Sequence, residues 1–294
     1  MTALWLALPL AFFAAPGSEY QVQIEQWRMQ REATLKSDQG WLTVAGLFWL
    51  HEVDNPAGAD STAVVALPAG AKSIGSFRFE GGSIAFHPAA GAAIYLNGNP
   101  IKGPVALKLD SDVLSYLDLS MFVIKRGARY AVRMRDKNSQ MRREFSGLRW
   151  YPVREDLRFV ARFTAYDQPR TITIPNILNE EEQQKTIGYA TFTFQGHDYT
   201  LEPVVEDNQL FYIFKDSTAG KGTYPAGRFL YSDMPKNGQV TLDFNKAYNP
   251  ALRVHALRDL SATAEAESVA DSDGGWRVEL RPPLGDICVK SRSQ

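Results

Sequence analysis

The sequence predicts a mainly β protein: two packed antiparallel β units, the first sandwich-like and the second a barrel or sandwich, preceded by one N-terminal helix. Three observations lead there. Short runs rich in β-branched and aromatic residues recur between Gly, Pro, Asn and Asp clusters. Asn97-Gly98 follows one such run, and Asn-Gly favours the positive φ angles of a tight hairpin turn. No strand–helix–strand rhythm appears, which argues against a parallel α/β sheet.

Along the chain, residues 1–17 read as a signal peptide. Leu4 to Ala15 is an apolar run of h-region length, with Ala15 and Gly17 at the −3 and −1 positions of a cleavage site before Ser18. The run is too short to span a bilayer, so no stable membrane span is expected. The region before it carries no Lys or Arg, and a buried apolar segment is the competing reading. Residues 18–38 follow as the N-terminal helix, with Val22, Ile24, Trp27, Met29 and Leu35 among polar neighbours over Gln21 to Lys36.

The first β unit is placed at 39–149. It opens on the dense apolar run Gly40 to Leu50, a buried strand or turn pair. Strands are predicted over Ile74–Phe79, Ser83–His87, Ala92–Leu96, Phe122–Lys125 and Tyr130–Arg135. In the last, Tyr130, Val132 and Met134 alternate with Ala131, Arg133 and Arg135, the pattern of a half-buried strand. The second unit is placed at 150–250, with strands over Phe159–Tyr166, Arg170–Ile174, Ala190–Phe194, Asp198–Leu201, Gln209–Lys215, Arg228–Tyr231 and Gln239–Phe244.

Composition narrows the functional classes. The 294 residues are 45% hydrophobic and 22% charged, ordinary for a globular protein. The net charge of −1 argues against nucleic acid as the main partner, since phosphate neutralisation wants a basic surface. The single cysteine, Cys288, allows no intramolecular disulfide and no Cys-rich metal site. His51, His87, His197 and His255 are isolated, so neither metal nor cofactor is expected. No P-loop, dinucleotide glycine pattern or Gly-X-Ser-X-Gly elbow is present. Asp216-Ser217-Thr218 lacks the adjoining glycine and the second copy that an aspartic protease needs.

Two clusters stand out. From Lys125 to Arg162 the chain is arginine-rich, including Arg126, Arg129, Arg133 and Arg135. Alternate arginines on strands suit an anion-binding face; pairing with Asp136, Glu144 and Asp156 on a solvated face is the competing reading. The block from Asp216 to Asn249 is the main site candidate. Gly220, Gly222 and Gly227 permit tight turns. Thr218, Tyr224 and Tyr231 offer hydroxyls, Arg228 a bidentate donor, Asp216 and Asp243 carboxylates, and Asn245, Tyr248 and Asn249 further polar groups. A rigid structural network of the same residues is the alternative.

The chain resembles the DUF1684 family. The resemblance rests on Gly40 to Leu50, Ile124 to Arg129 with Arg133 and Asp136, Phe145 to Pro152, Asp216-X-Thr218-X-Gly220, Thr223-Tyr224, Gly227 to Tyr231, and Leu242 to Pro250. It spans Trp27 to Pro250 and brings no established activity. The first unit also faintly resembles a forkhead-associated sandwich around Gly58 to Asp60 and the Asn97-Gly98 turn, without that fold's phosphopeptide-reading residues. After Pro250 the family continues with two cysteines, and this chain departs from it. Read one base out of frame with permitted codons, Ala251 to Glu265 becomes Pro-Cys-Ala-Phe-Thr-Pro-Tyr-Ala-Thr-Cys-Pro-Leu-Pro-Pro. Residues 251–294 are therefore read as a frameshifted, poorly ordered tail.

Two functional readings remain. One is an exported binding module holding a small polar or anionic ligand through Thr218, Tyr224, Arg228, Tyr231, Asn245 and Tyr248. The other is a hydrolase-like enzyme with Asp216 or Asp243 as general acid or base and Arg228 stabilising negative charge. No partner protein is indicated.

Overall fold

The computed structural model describes residues 18–175, 181–225 and 227–250. The expected leader at 1–17 and the divergent tail at 251–294 lie outside the described residues. The chain is mainly β with an N-terminal helix, α1, over Glu19–Lys36. Glu19 in the first turn and Lys36 in the last both complement the helix dipole. The fold divides into one unit of residues 31–148 and another made of residues 1–30 and 149–294. Among the described residues no helix is long and apolar enough to cross a membrane.

The 31–148 unit holds β1 (Val44–Trp49), β2 (Val53–Gly58), β3 (Val65–Ala66), β4 (Gly75–Glu80), β5 (Ser83–Pro88), β6 (Tyr95–Leu96), β7 (Asn99–Pro100), β8 (Val105–Ala106), β9 (Leu114–Tyr116), β10 (Leu119–Arg126) and β11 (Arg129–Asp136). They form a six-stranded sheet, β1-β11-β10-β9-β6-β7, and a five-stranded sheet, β3-β2-β4-β5-β8. Pairing is antiparallel except for the short parallel match of β2 with β3. Phe77 and Phe86 from one sheet share a core with Met121, Val132 and Met134 from the other, the packing of a sandwich. Asn97 and Gly98 both take positive φ and join β6 to β7 in a two-residue hairpin. The strand expected over Ala92–Leu96 shortens to Tyr95–Leu96, because turns at Ala89–Ala92 and Ala92–Ile94 use the backbone before it. The run from Gly40 to Leu50 resolves into a 3-10 turn, Trp41–Thr43, and β1.

The other unit holds β12 (Arg158–Pro175), β13 (Glu181–Phe194), β14 (His197–Leu201), β15 (Val204–Glu206), β16 (Gln209–Phe214), β17 (Arg228–Asp233) and β18 (Gln239–Asp243). The sheets are β14-β13-β12-β18 and β15-β16-β17, both antiparallel and neither closed into a barrel. Phe163, Ala190, Leu201, Leu210, Leu230 and Leu242 from both sheets bury one core. The strands expected separately at Phe159–Tyr166 and Arg170–Ile174 are one strand, β12. Its register slips between Ala165 and Arg170. The residues between them, Asp167-Gln168-Pro169, are absorbed as an irregularity, where Pro169 owes no ladder hydrogen bond.

Candidate binding site

The site candidates fall on the loop between β16 and β17, on the turn after β18, and on the face of β17. The loop is built from its own backbone. The Thr218 carbonyl accepts from the N–H groups of Lys221, Gly222 and Thr223, each at 3.0 Å, and Ala219 N–H donates to the Asp216 carbonyl at 3.0 Å. Gly220 supplies the left-handed conformation that closes the loop, φ +79°.

Asp216 is buried at the head of this loop. Its Oδ1 accepts the Thr218 N–H at 2.9 Å and the Thr218 hydroxyl; its Oδ2 accepts from the Arg228 guanidinium. The Thr218 and Thr223 hydroxyls are 2.9 Å apart and hydrogen-bonded. Arg228 is paired across the ladder with Phe214, and its guanidinium lies 5.1 Å from that ring's centroid. With side-chain exposures of 11% and 5%, Arg228 and Asp216 form a nearly dry ion pair. The Arg228 Nε is buried and has no hydrogen-bond partner among the described residues.

Asp243 and Asn245 form a second network. Asp243 caps a 3-10 turn, Phe244–Lys246; its Oδ1 accepts the Tyr20 hydroxyl at 2.7 Å and the Asn245 N–H at 3.2 Å. The Asn245 amide donates to the Tyr20 oxygen at 2.8 Å and the Arg154 carbonyl at 2.7 Å, and its Oδ1 accepts the Arg154 N–H at 2.8 Å. This ties the start of α1 and the strand-entry segment at Arg154 to the end of β18. Burial first, then the hydrogen bond to Asp243, pushes the Tyr20 phenol well above its usual range. Arg28 reinforces the anchor by donating to the Tyr151 carbonyl at 3.0 Å and lying over Trp150, 5.1 Å from the ring centroid.

The remaining candidates point elsewhere. Alternation along β17 turns Leu230 and Ser232 inward with Arg228. Tyr231 therefore lies on the opposite face, stacked 4.7 Å from Phe211, with its hydroxyl donated to Glu206. Burial, and then that hydrogen bond, raises the Tyr231 phenol. Tyr248 pairs through its backbone with Phe229, and its ring meets the Phe229 ring edge-on. Tyr224 engages through its N–H, which donates to the Asn249 side chain at 2.9 Å. Sequence reasoning missed Tyr20 because it lies 223 residues from its partner Asp243. Thr223 was legible inside the loop motif but was not singled out.

Asp216 and Asp243 thus belong to separate hydrogen-bond sets and share no partner among the described residues. Each carboxylate is already an acceptor for neighbouring N–H and O–H groups, while Arg228 keeps a donor in reserve. Among the described residues no cluster of His, Cys, Asp or Glu is arranged to hold a metal.

Residues 143–254 match the family described as "Protein of unknown function (DUF1684)". The motifs at Gly40–Leu50 and Ile124–Asp136 lie outside the matched span. A solution structure of an uncharacterized protein of Haloarcula marismortui aligns with 40% of this chain and 68% of its own, at 25% identity and a TM-score of 0.34. No curated protein matches.

Proposed function

We propose that the 149–250 part of the chain is a non-catalytic binding module of an exported protein, and that it takes a small carboxylate- or phosphate-bearing ligand at Arg228. The observation that carries this reading is the unequal satisfaction of one ion pair. Asp216 has acceptor bonds on both oxygens, whereas Arg228 Nε–H has no partner among the described residues. A buried unpaired donor costs about 1–3 kcal/mol, which a ligand oxygen would recover. Asp216 meanwhile holds the guanidinium in place, reducing the ordering cost of binding. The Thr218 hydroxyl proton goes to Asp216 and the Thr223 proton to Thr218, so the guanidinium is the donor left for a ligand, and the exposed Gly220 to Gly222 tip is the part of the loop free to yield.

A hydrolase would need Asp216 or Asp243 to free an oxygen for proton transfer. The hydrogen bonding supports retention of those oxygens instead.

The test is an NMR titration of arginine-labelled protein with inorganic phosphate and with succinate. A saturable shift of the Arg228 Nε–H signal, absent from Arg228→Lys, is expected. An unmoved signal at millimolar ligand would sink the proposal. Export is tested separately by N-terminal sequencing of protein secreted from cells, expected to begin at Ser18.

A further inference from the structure

The arginine face of the 31–148 unit plays no part in that proposal. Arg129, Arg133 and Arg135 lie on the side of β11 opposite Val132 and Met134, which face the core. Two of the guanidiniums lean the same way. Arg129 lies 3.7 Å from the centroid of Trp49, on β1, and Arg133 lies 5.3 Å from that of Trp41, just before β1. Arg135 lies 4.8 Å from Phe122 on β10 and donates to the Gln39 side chain, so it is already engaged. β1 ends its sheet and pairs, among the described residues, with β11 alone. Arg129 and Arg133 are in no ion pair among the described residues. Burial, and then the charges of Arg126 and Arg135, lower the Arg133 guanidinium's proton affinity; Asp110 opposes them.

Unpaired guanidiniums held rigid on tryptophan rings keep their donor forks for an acceptor from outside. Such a fork matches a carboxylate with two parallel hydrogen bonds. We propose that the free edge of β1 receives an extended acidic peptide as an added strand, with two carboxylates four residues apart meeting Arg129 and Arg133. The spacing follows from the strand: four residues along β11 span about 13 Å, and the same interval on an added strand returns to the same face. Strand addition supplies affinity through main-chain hydrogen bonds and specificity through alternate side chains. Single-stranded nucleic acid fits less well, because the arginines occupy ring faces that bases would stack on.

The probe is a fluorescent heptapeptide, Thr-Glu-Val-Thr-Val-Glu-Thr, titrated against the full chain by anisotropy. Saturable binding is expected, weakened at least about tenfold by Arg133→Gln and by Arg129→Gln, as for loss of a charge-assisted pair. Arg133→Lys, which keeps the charge, controls for folding and should melt like the parent while losing part of the affinity. Moving one glutamate to the fifth position puts the two on opposite faces and should abolish binding. Amide exchange should slow over Val44–Trp49 when the peptide is added. Equal binding of the out-of-phase peptide, or unchanged exchange over β1, overturns strand addition. Binding of oligothymidylate or phosphatidylserine vesicles in place of the peptide overturns the choice of partner.

Discussion

Arg228 donates to Oδ2 of Asp216 while Oδ1 of the same carboxylate accepts the Thr218 N–H at 2.9 Å, so the ion pair and the loop turn share one side chain. Removing either charge leaves the other nearly dry and unpaired. Asp216→Ala is therefore expected to destabilise the protein by about 3–5 kcal/mol in urea unfolding. Asp216→Leu with Arg228→Leu together should cost clearly less than the sum of the single changes, because no orphaned charge remains. Additive costs would show that the pair is not coupled.

Asn245 is the hinge of the second network, with both ends of its amide in use. Asn245→Asp keeps the shape but replaces the amide donors by a carboxylate beside Asp243. A loss on the order of 3 kcal/mol is expected. Asn245→Ala removes the charge problem and should cost less, about 2 kcal/mol. If Asn245→Asp proves the milder change in denaturant titrations, the hydrogen bonds to Tyr20 and Arg154 do not hold this turn.

The fold class was legible because β patterning is local. Tyr130, Val132 and Met134 declare a face by alternation, and Asn97-Gly98 declares a turn by backbone chemistry. Where the sequence misled, the cause was a local signal overridden by pairing. The gap between the strands expected at Phe159–Tyr166 and Arg170–Ile174 is bridged because β13 pairs on both sides of it, Gly188 with Ala165 and Thr186 with Arg170, so β12 runs on through an irregular register. The candidate site was legible as a list of polar residues but not as an arrangement. Arg228 and Tyr231 are three residues apart, an odd interval, so one strand puts them on opposite faces. Tyr20 and Asp243 meet only through the tertiary fold, and no spacing in the sequence announces that contact.

Two glycines of the site loop differ in what a methyl group would meet. At Gly222 an added Cβ would come 2.8 Å from the Tyr151 hydroxyl, the movable tip of a side chain. At Gly227 it would come 2.9 Å from the backbone carbonyl of Phe214, at φ +132°. Gly222→Ala is expected to cost under about 1 kcal/mol, and Gly227→Ala about 1–3 kcal/mol because the backbone itself is strained. Thermal melting of the two variants decides, and the reverse order would show that Tyr151 is the less movable neighbour.

The resemblance to the family tail after Pro250 in a shifted frame predicts a single inserted base near that codon. Resequencing codons 245 to 260 should find it. A confirmed reading frame would show instead that the divergent tail is genuine.

Tyr166 provides a handle at high pH. Its hydroxyl donates to Glu202 at 2.7 Å. Burial first, and then that hydrogen bond, pushes its pKa up to about 12. A free tyrosine in the unfolded chain ionises near about 10. The folded value is the higher, so this phenol's contribution to stability is complete below about pH 10 and is lost as pH rises through about 12. Tyr20, Tyr212 and Tyr231 are held higher still and should ionise beyond this window. Tyrosinate absorbance of the folded protein should therefore show a late step that Tyr166→Phe removes. Tyr166→Phe should also flatten the fall in unfolding free energy across the same interval. Glu202→Gln should move the step to lower pH, because the neutral amide no longer opposes the phenolate charge. An unchanged late step in both variants would mean that Tyr166 ionises elsewhere and that its bond to Glu202 contributes nothing to alkaline stability.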